Sequence, residues 1–305
     1  MRERFVRPAR LSDLFTLVVA SIALLALLCG DAAAGQSVRV SKDLELYYEE
    51  AGSGAPMIFI PLWTGTSAFY KAQIEHFSKR YRAISYDPRG QGRSSKTLEG
   101  NHYIQHGADL KAFMDALKLK DVILVGHSYG CQTSYAYFRE HGVKNVKAFV
   151  CIDSPPKPIV ESDSDWGLFK HPNDMKGFQQ GISHDRLKTT QEFVQSMVTR
   201  PLSDKERDWL VGEMLRTPTY VTLLLDYDAA MSDFSPEAKM IDGKIPVLNV
   251  LADPGWFEGW TAMGKAWLAK NAPNSKIEAL GLHFMQWDLP EKFNAAVDGF
   301  LSGVK

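Results

Sequence analysis

The stretch from Asp121 to Gly130, Asp-Val-Ile-Leu-Val-Gly-His-Ser-Tyr-Gly, constrains the fold more than any other part of the chain. Its branched apolar residues, 122–125, predict a strand buried on both faces, and the residues after Gly130 predict a helix. A Gly-x-Ser-x-Gly motif between a strand and a helix requires a very sharp turn that strains the serine backbone. The glycines two positions before and after Ser128 let the strand and the helix approach closely, because neither carries a Cβ atom.

This turn gives Ser128 a distinctive chemical setting. Its hydroxyl stands clear of the sheet, and the backbone N–H of Tyr129 lies at a helix N-terminus, where it can stabilise an oxyanion. We therefore predict that Ser128 is a nucleophile, and that the rest of the chain supplies a base, an acid and a second oxyanion donor.

Length and composition are typical of a globular protein with a substantial core. The chain has 305 residues, of which 45% are hydrophobic and 23% are charged. The formal net charge of −1, without a basic stripe or tail, gives no reason to expect nucleic acid as a partner. The eight histidines show no metal-ligand spacing, so we expect neither a metal nor another cofactor.

The N-terminal segment has the features of an export signal. Four arginines in the first ten residues precede a charge-free apolar run, Leu14–Leu28, and an Ala-x-Ala cleavage pattern follows at 32–34. We predict a signal peptide over residues 1–34 and a mature periplasmic or secreted chain that starts near Gly35 and has no membrane association. Retention of the apolar run as a membrane anchor is the alternative.

Cleavage at this point would leave two cysteines, Cys131 and Cys151. Free buried thiols are the expectation, and a disulfide is the alternative that an exported protein permits. The sequence determines neither this pairing nor the oligomeric state.

Strands and helices alternate along the chain, which predicts a parallel sheet covered on both faces. A hairpin is predicted at 37–50, and further strands at 57–62, 81–86, 122–125, 148–152, 245–251 and 276–280. Between about 155 and 244, buried strands give way to helical segments rich in large aromatic residues. We interpret this part as a helical cap inserted into a domain that spans residues 35–305.

The chain resembles the α/β-hydrolase superfamily, and most closely its small esterases, lactonases and cofactor-free haloperoxidases. Besides the elbow at Ser128, the resemblance rests on Trp63 after its strand, the loop Asp87-Pro88-Arg89-Gly90-Gln91-Gly92-Arg93-Ser94, Asp253, and His283-Phe284 with Asp288-Leu289-Pro290-Glu291. It implies an α/β-hydrolase fold with a mostly parallel central sheet, flanking helices and an inserted helical cap. It also implies the order nucleophile, acid, base along the chain.

The resemblance also implies roles for individual residues. His283, just after the last strand, is the expected base, which takes the proton of the Ser128 hydroxyl and returns it to the leaving group. Asp253, at the end of the strand before it, is the expected acid. Asp153, at the end of the strand at 148–152, is the alternative that some members of the family use.

The expected oxyanion hole consists of the backbone N–H groups of Trp63 and Tyr129. Here the chain departs from the family, because Leu62 stands before Trp63 where glycine is usual. A leucine at this position is expected to narrow the approach of the backbone to the substrate carbonyl.

These roles imply a serine hydrolase that cleaves a small-molecule carboxylic ester or lactone through an acyl-enzyme. The same triad is also compatible with perhydrolase or haloperoxidase activity, or with cleavage of an amide or C–C bond. A non-catalytic binding protein on this fold is a further alternative. Epoxide opening and halide displacement through an ester-linked intermediate require aspartate at position 128 and are disfavoured.

Overall fold

The computed structural model describes residues 34–304. The predicted signal peptide, residues 1–34, therefore lies outside the described residues except for Ala34. None of the helices between residues 34 and 304 combines the length and the apolar character that a membrane crossing needs.

An eight-stranded sheet forms the centre of the protein. Its strands are β1 (Ala34–Ser41), β2 (Leu44–Ala51), β3 (Pro56–Ile60), β4 (Arg82–Tyr86), β5 (Val122–His127), β6 (Val146–Ile152), β7 (Val247–Leu251) and β8 (Lys276–Ala279). Their order across the sheet is β1-β2-β4-β3-β5-β6-β7-β8. β2 is antiparallel to β1 and to β4, whereas the neighbouring pairs from β4 across to β8 are parallel. The prediction of a mostly parallel sheet is confirmed.

Helices connect the strands of this sheet. They are α1 (Lys71–Phe77), α2 (Tyr103–Ala116), α3 (Tyr129–His141), α4 (Lys176–His184), α5 (Arg186–Ser196), α6 (Asp204–Met214), α7 (Thr219–Met231), α8 (Ser235–Ile241), α9 (Trp260–Asn271), α10 (Met285–Asp288) and α11 (Pro290–Leu301). Short 3₁₀ turns at Ser67–Tyr70 and Pro172–Met175 precede α1 and α4. Among the helices outside the cap, α2 packs against α3, and α1 against α11.

The core lies along the central strands. Every side chain of β5 and β7 is buried, as expected for strands covered on both faces. In contrast, the side chains of β8, at the edge of the sheet, are largely exposed. The predicted alternation of the hairpin is also present, since Leu44, Leu46 and Tyr48 are buried while the residues between them are more exposed.

The helices α4–α8 lie between β6 and β7, within the range predicted for the helical insertion. They are tied to the loop after β3, because the indole N–H of Trp63 donates to the carbonyl of Thr222 in α7 over 2.8 Å. The hydroxyl of Thr66 likewise donates to Glu213 of α6 over 2.7 Å. The loop after β3 and the cap are therefore held together by buried hydrogen bonds.

Cys131 and Cys151 form a disulfide, which corrects the expectation of two free thiols. Their Cα atoms lie 5.5 Å apart, within the range that a disulfide requires. Cys131 is in the first turn of α3, and Cys151 is paired with Gly126 across β5 and β6. The bond thus joins the helix after the elbow to the neighbouring strand. It depends on the register of β5 against β6, which sequence reasoning did not predict.

The carboxyl ends of the parallel strands bring the candidate residues to one edge of the sheet. Trp63 follows β3, Ser128 follows β5, Asp153 follows β6, Asp253 follows β7 and His283 follows β8. Because parallel strands end at the same edge, residues more than 200 positions apart in sequence become neighbours there.

Candidate active site

Ser128 lies at the sharp turn between β5 and α3, with φ 54° and ψ −126°. Few residues other than glycine adopt a positive φ, so the turn is strained. A Cβ atom on Gly126 would lie 2.7 Å from the carbonyl oxygen of Gly130, and one on Gly130 would collide with the carbonyl oxygen of Ile60. These contacts explain why glycine is needed two positions before and two positions after the serine.

Ser128 and His283 line the same cavity, which has a volume of about 250 Å³. Most of its wall is apolar and includes Leu62, Leu168, Met175, Phe178, Phe193 and Trp256. The rings of Phe178 and Phe193, from the cap, contact that of Trp63, with centroids 5.4 and 5.8 Å apart. A hydroxyl and an imidazole thus share a largely apolar cavity between the sheet and the cap.

His283 is held from several sides in the loop between β8 and α10. The ring is 3% exposed, and its Nδ1 lies 2.6 Å from Oδ2 of Asp153. This contact requires the proton on Nδ1, so Nε2 is the basic nitrogen of the neutral ring. Nε2–H of His127 donates to the backbone carbonyl of His283 over 2.8 Å, and the N–H of Phe284 donates to the carbonyl of Met197 in the cap over 2.9 Å.

The imidazole of His127 supports this arrangement. Burial lowers the pKa of its imidazole well below the usual value, and the nearby His283 lowers it further. A neutral His127 is a hydrogen-bond donor at Nε2 and adds no positive charge beside the base.

The carboxylate of Asp153 accepts four hydrogen bonds and is buried. Oδ1 accepts from the backbone N–H of Ala252 over 2.9 Å and from the indole of Trp260 over 2.8 Å. Oδ2 accepts from the indole of Trp256 over 2.9 Å and from His283 over 2.6 Å. Two rigid indoles and one backbone amide therefore fix the orientation of this carboxylate, and a buried charge needs such partners.

Asp253, the expected acid, does not contact His283, and this placement is corrected. Its side chain is exposed, and Oδ1 accepts a hydrogen bond from the hydroxyl of Thr261 over 3.3 Å. Asp153, which the sequence left as the alternative, occupies the place beside the imidazole. Because β6 and β7 are adjacent and end at the same edge, position after a strand did not distinguish the two aspartates.

The backbone N–H groups of Trp63 and Tyr129 are both available at the cavity, which the two residues line. Tyr129 is the first residue of α3, where an N–H has no intrahelical acceptor. The backbone N–H of Trp63 has no acceptor within residues 34–304. The residue is held by its indole N–H, which donates to Thr222. The two predicted oxyanion donors therefore belong to residues that line the cavity, and neither has a competing acceptor among the described residues.

Leu62, the departure from the family pattern, forms part of the cavity wall. Its side chain is buried, and its carbonyl accepts a hydrogen bond from the N–H of Gly65 over 2.9 Å. A Cβ atom on Gly65 would collide with Cδ2 of Leu62. The glycine three positions later thus provides the space that the larger side chain at position 62 needs.

One acidic side chain, Asp226 of α7, lies in the otherwise apolar wall of the cavity. It is 6% exposed, and its Oδ2 accepts a hydrogen bond from the amide of Gln179 over 3.1 Å. Burial raises the pKa of this carboxyl to about 6. Burial also raises the pKa of the Tyr129 phenol well above its usual value, and the charge of Asp226 adds to that effect.

A second pocket, of about 490 Å³, adjoins the first at His283. Phe178, Phe193 and Trp256 line both spaces together with the imidazole, while Thr189 and Glu192 line the second pocket alone. The imidazole of His283 therefore lines two adjoining spaces, of about 250 and 490 Å³.

Metal-ligating side chains are dispersed over the described part of the chain. Between residues 34 and 304, no group of three or more His, Cys, Asp or Glu side chains is arranged to hold a metal ion. His127 and His283, whose ring centroids lie 4.8 Å apart, are both engaged in the hydrogen bonds described above.

Sequence reasoning did not identify Trp256, Trp260 or Asp226 as part of the site. The two tryptophans follow β7 in a Trp-x-x-x-Trp spacing, and their indoles both reach Asp153. That spacing was a usable signal only once Asp153 was known to need donors. For Asp226 there was no local signal, because its helix belongs to the cap.

Comparisons with known proteins agree with this fold. The family model described as the alpha/beta hydrolase fold matches residues 55–270. The AB hydrolase superfamily protein YisY of Bacillus subtilis (strain 168) is 26% identical over 216 residues, which cover 70% of this chain and 79% of that protein.

Two solved structures are similar over 88% of this chain and 100% of their own. The bromoperoxidase from Bacillus anthracis has a TM-score of 0.80 and 25% sequence identity. An esterase from Exiguobacterium antarcticum has a TM-score of 0.79 and 20% identity, a likeness that concerns the fold alone.

Proposed function

Because this chain belongs to the alpha/beta hydrolase fold family, we propose that it is a serine hydrolase that cleaves carboxylic esters, including lactones, through an acyl-enzyme. The observation that carries this proposal is the 2.6 Å hydrogen bond between His283 and Asp153 at a cavity that Ser128 also lines. A base oriented by a buried carboxylate, next to a hydroxyl on a strained turn, is what acyl transfer by serine needs.

In the proposed first step, Oγ of Ser128 attacks the substrate carbonyl and Nε2 of His283 accepts its proton. Asp153 stabilises the resulting imidazolium through Nδ1–H. The N–H groups of Trp63 and Tyr129 donate to the oxyanion that develops on the carbonyl oxygen, and the loss of one such donor typically slows the reaction about 100- to 1,000-fold.

In the second step, the tetrahedral intermediate collapses and His283 gives its proton to the leaving alcohol. Water then attacks the acyl-enzyme, with the same imidazole as base, and releases the acid and free Ser128. The cavity of about 250 Å³ is suited to the acyl group, because Ser128 and the residues of both oxyanion donors line it. The larger pocket at His283 is suited to the alcohol and to the incoming water, since both exchange a proton with Nε2.

Four donors make Asp153 suitable as the acid of this triad. They provide the buried carboxylate with hydrogen-bond partners, and they leave it one orientation, in which Oδ2 meets Nδ1 of His283. Asp253 lacks both features, because its side chain is exposed and contacts only Thr261 among the hydrogen-bond partners within residues 34–304.

The similarity to a bromoperoxidase, at 25% identity, favours perhydrolysis as a second candidate. In this reaction hydrogen peroxide replaces water in the attack on the acyl-enzyme. The oxygen–acyl bond to Ser128 breaks, and a peracid leaves instead of a carboxylic acid. The same residues serve both reactions, so the nucleophile that reaches the acyl-enzyme decides between them.

An active-site-directed fluorophosphonate tests the proposed nucleophile. We expect it to label the protein and Ser128→Ala to abolish the labelling, while Ser134→Ala, in α3 and bonded to the carbonyl of Gly130, leaves labelling intact. A panel of p-nitrophenyl esters and lactones then identifies the ester class, and added hydrogen peroxide with peracid detection tests perhydrolysis. Absence of labelling and of hydrolysis would support a non-catalytic binding protein instead.

We also propose that residues 1–34 direct export and are removed near Gly35. The disulfide between Cys131 and Cys151 supports this proposal, because such bonds persist mainly in oxidising compartments. N-terminal sequencing of the protein from fractionated cells, with titration of free thiols, provides the test. An intact N-terminus in the membrane fraction would support the anchor alternative.

A further inference from the structure

The acidic side chain in the cavity wall has no role in the triad. Asp226 is more than nine-tenths buried, and it lies among apolar residues of the cap at the same cavity as Ser128. Gln179 donates to its Oδ2, but its Oδ1 has no donor within residues 34–304. Because Asp226 lines the cavity, a ligand that supplies a donor can form a hydrogen bond with this free oxygen.

The groups around Asp226 are an amide and two phenols, and all three are uncharged. Gln179 faces it from α4, Tyr129 from the elbow and Tyr103 from α2, and the charge of Asp226 contributes to the raised pKa of both phenols. No Lys or Arg of the described residues forms an ion pair with this carboxylate. The protein thus leaves a negative charge without a cationic partner inside a substrate cavity.

We propose that Asp226 selects substrates whose acyl group carries an O–H or N–H donor that reaches this carboxylate. This inference rests on the proposed function, which assigns the cavity of about 250 Å³ to the acyl group. An apolar wall with one acceptor discriminates strongly, because an analogue without the donor leaves the buried carboxylate unpaired.

The size of the cavity sets the length of such a group. At roughly 30 Å³ for a small polar or apolar group, about the share of a water molecule in the liquid, 250 Å³ accommodates about eight heavy atoms. A six-carbon acyl chain with a terminal hydroxyl or ammonium group has this size. Both termini present a hydrogen-bond donor to Asp226, and the test distinguishes the neutral hydroxyl from the ammonium cation.

Three esters of equal size test the proposal: p-nitrophenyl heptanoate, ω-hydroxyhexanoate and ω-aminohexanoate. The full-length protein is compared with Asp226→Asn and with the matched control Asp228→Asn, which changes a carboxylate on the same helix that bonds the N–H of Tyr103 and does not line the cavity. We expect Asp226→Asn to lower kcat/KM for a donor-bearing ester, relative to heptanoate, by about 10- to 100-fold. The control should leave this ratio unchanged.

A binding measurement separates this inference from the proposed catalysis. n-Pentylamine, n-pentanol and n-butyl methyl ether have equal numbers of heavy atoms, and their binding by calorimetry requires no reaction. A preference for the amine or the alcohol over the ether that Asp226→Asn removes supports the inference, even if no ester is hydrolysed. Equal binding of all three by the wild-type protein, or an ester ratio that Asp226→Asn does not change, would overturn it.

Discussion

Replacement of Asp226 by asparagine should stabilise the protein in a manner that depends on pH. Burial in the apolar cavity raises the pKa of this carboxyl from 3.8 to about 6. The folded protein therefore retains the proton over a range of pH in which the unfolded chain has already lost it. The protonated carboxyl therefore contributes to folding stability at low pH, and this contribution is lost as the pH rises through about 6.

The magnitude follows from the size of the pKa rise. At 1.36 kcal/mol for each pKa unit, a rise of about two amounts to about 3 kcal/mol of stability lost by the wild-type protein between about pH 4 and pH 7. Asparagine carries no titrating proton and keeps the hydrogen bond to Gln179, so the variant does not have this loss. Other groups titrate in both proteins and cancel in the difference.

Urea unfolding at a series of pH values from 4 to 8 measures this difference directly. The free energy of unfolding of Asp226→Asn, minus that of the wild type, should grow by about 3 kcal/mol from the acidic to the neutral end. Asp253→Asn, which removes an exposed carboxylate, serves as the control and should show a nearly constant difference. A constant difference for Asp226→Asn as well would refute the argument that burial perturbs this carboxyl.

Three further predictions concern the site, two of them with a control substitution. Asp153→Asn should lower kcat about 10,000-fold, because the imidazole of His283 loses its correct tautomer, whereas Asp253→Asn should change kcat less than about threefold. The opposite order of effects would restore Asp253 as the acid of the triad. Trp260→Phe should lower kcat about tenfold without raising KM, because the indole of Trp260 donates to the Asp153 carboxylate and does not line the cavity. An unchanged kcat would contradict this positioning role. Gly130→Ala should abolish fluorophosphonate labelling and lower the unfolding midpoint, since its Cβ would meet a carbonyl oxygen at the end of β3. Gly177→Ala, whose Cβ would lie in open space, is the control and should change neither the labelling nor the midpoint appreciably.

The sequence was sufficient to predict the framework of the site because the relevant signals are local. Apolar runs predicted the buried strands, and the sharp turn at Ser128 follows from two glycines that no other residue replaces without a clash. The place of His283 after the last strand also follows from chain order. Each of these predictions depends on residues within one element or one loop.

The tertiary structure decided which side chains meet across elements. Asp153 and Asp253 both follow strands at the same edge of the sheet. Asp153 is the one that meets His283, because the indoles of Trp256, in the loop after β7, and Trp260, at the start of α9, turn its carboxylate toward the ring. The position of Asp226 in the cavity likewise depends on how the cap packs over the sheet. Such contacts result from register and packing between distant segments, and these are physical properties that local residue patterns do not encode.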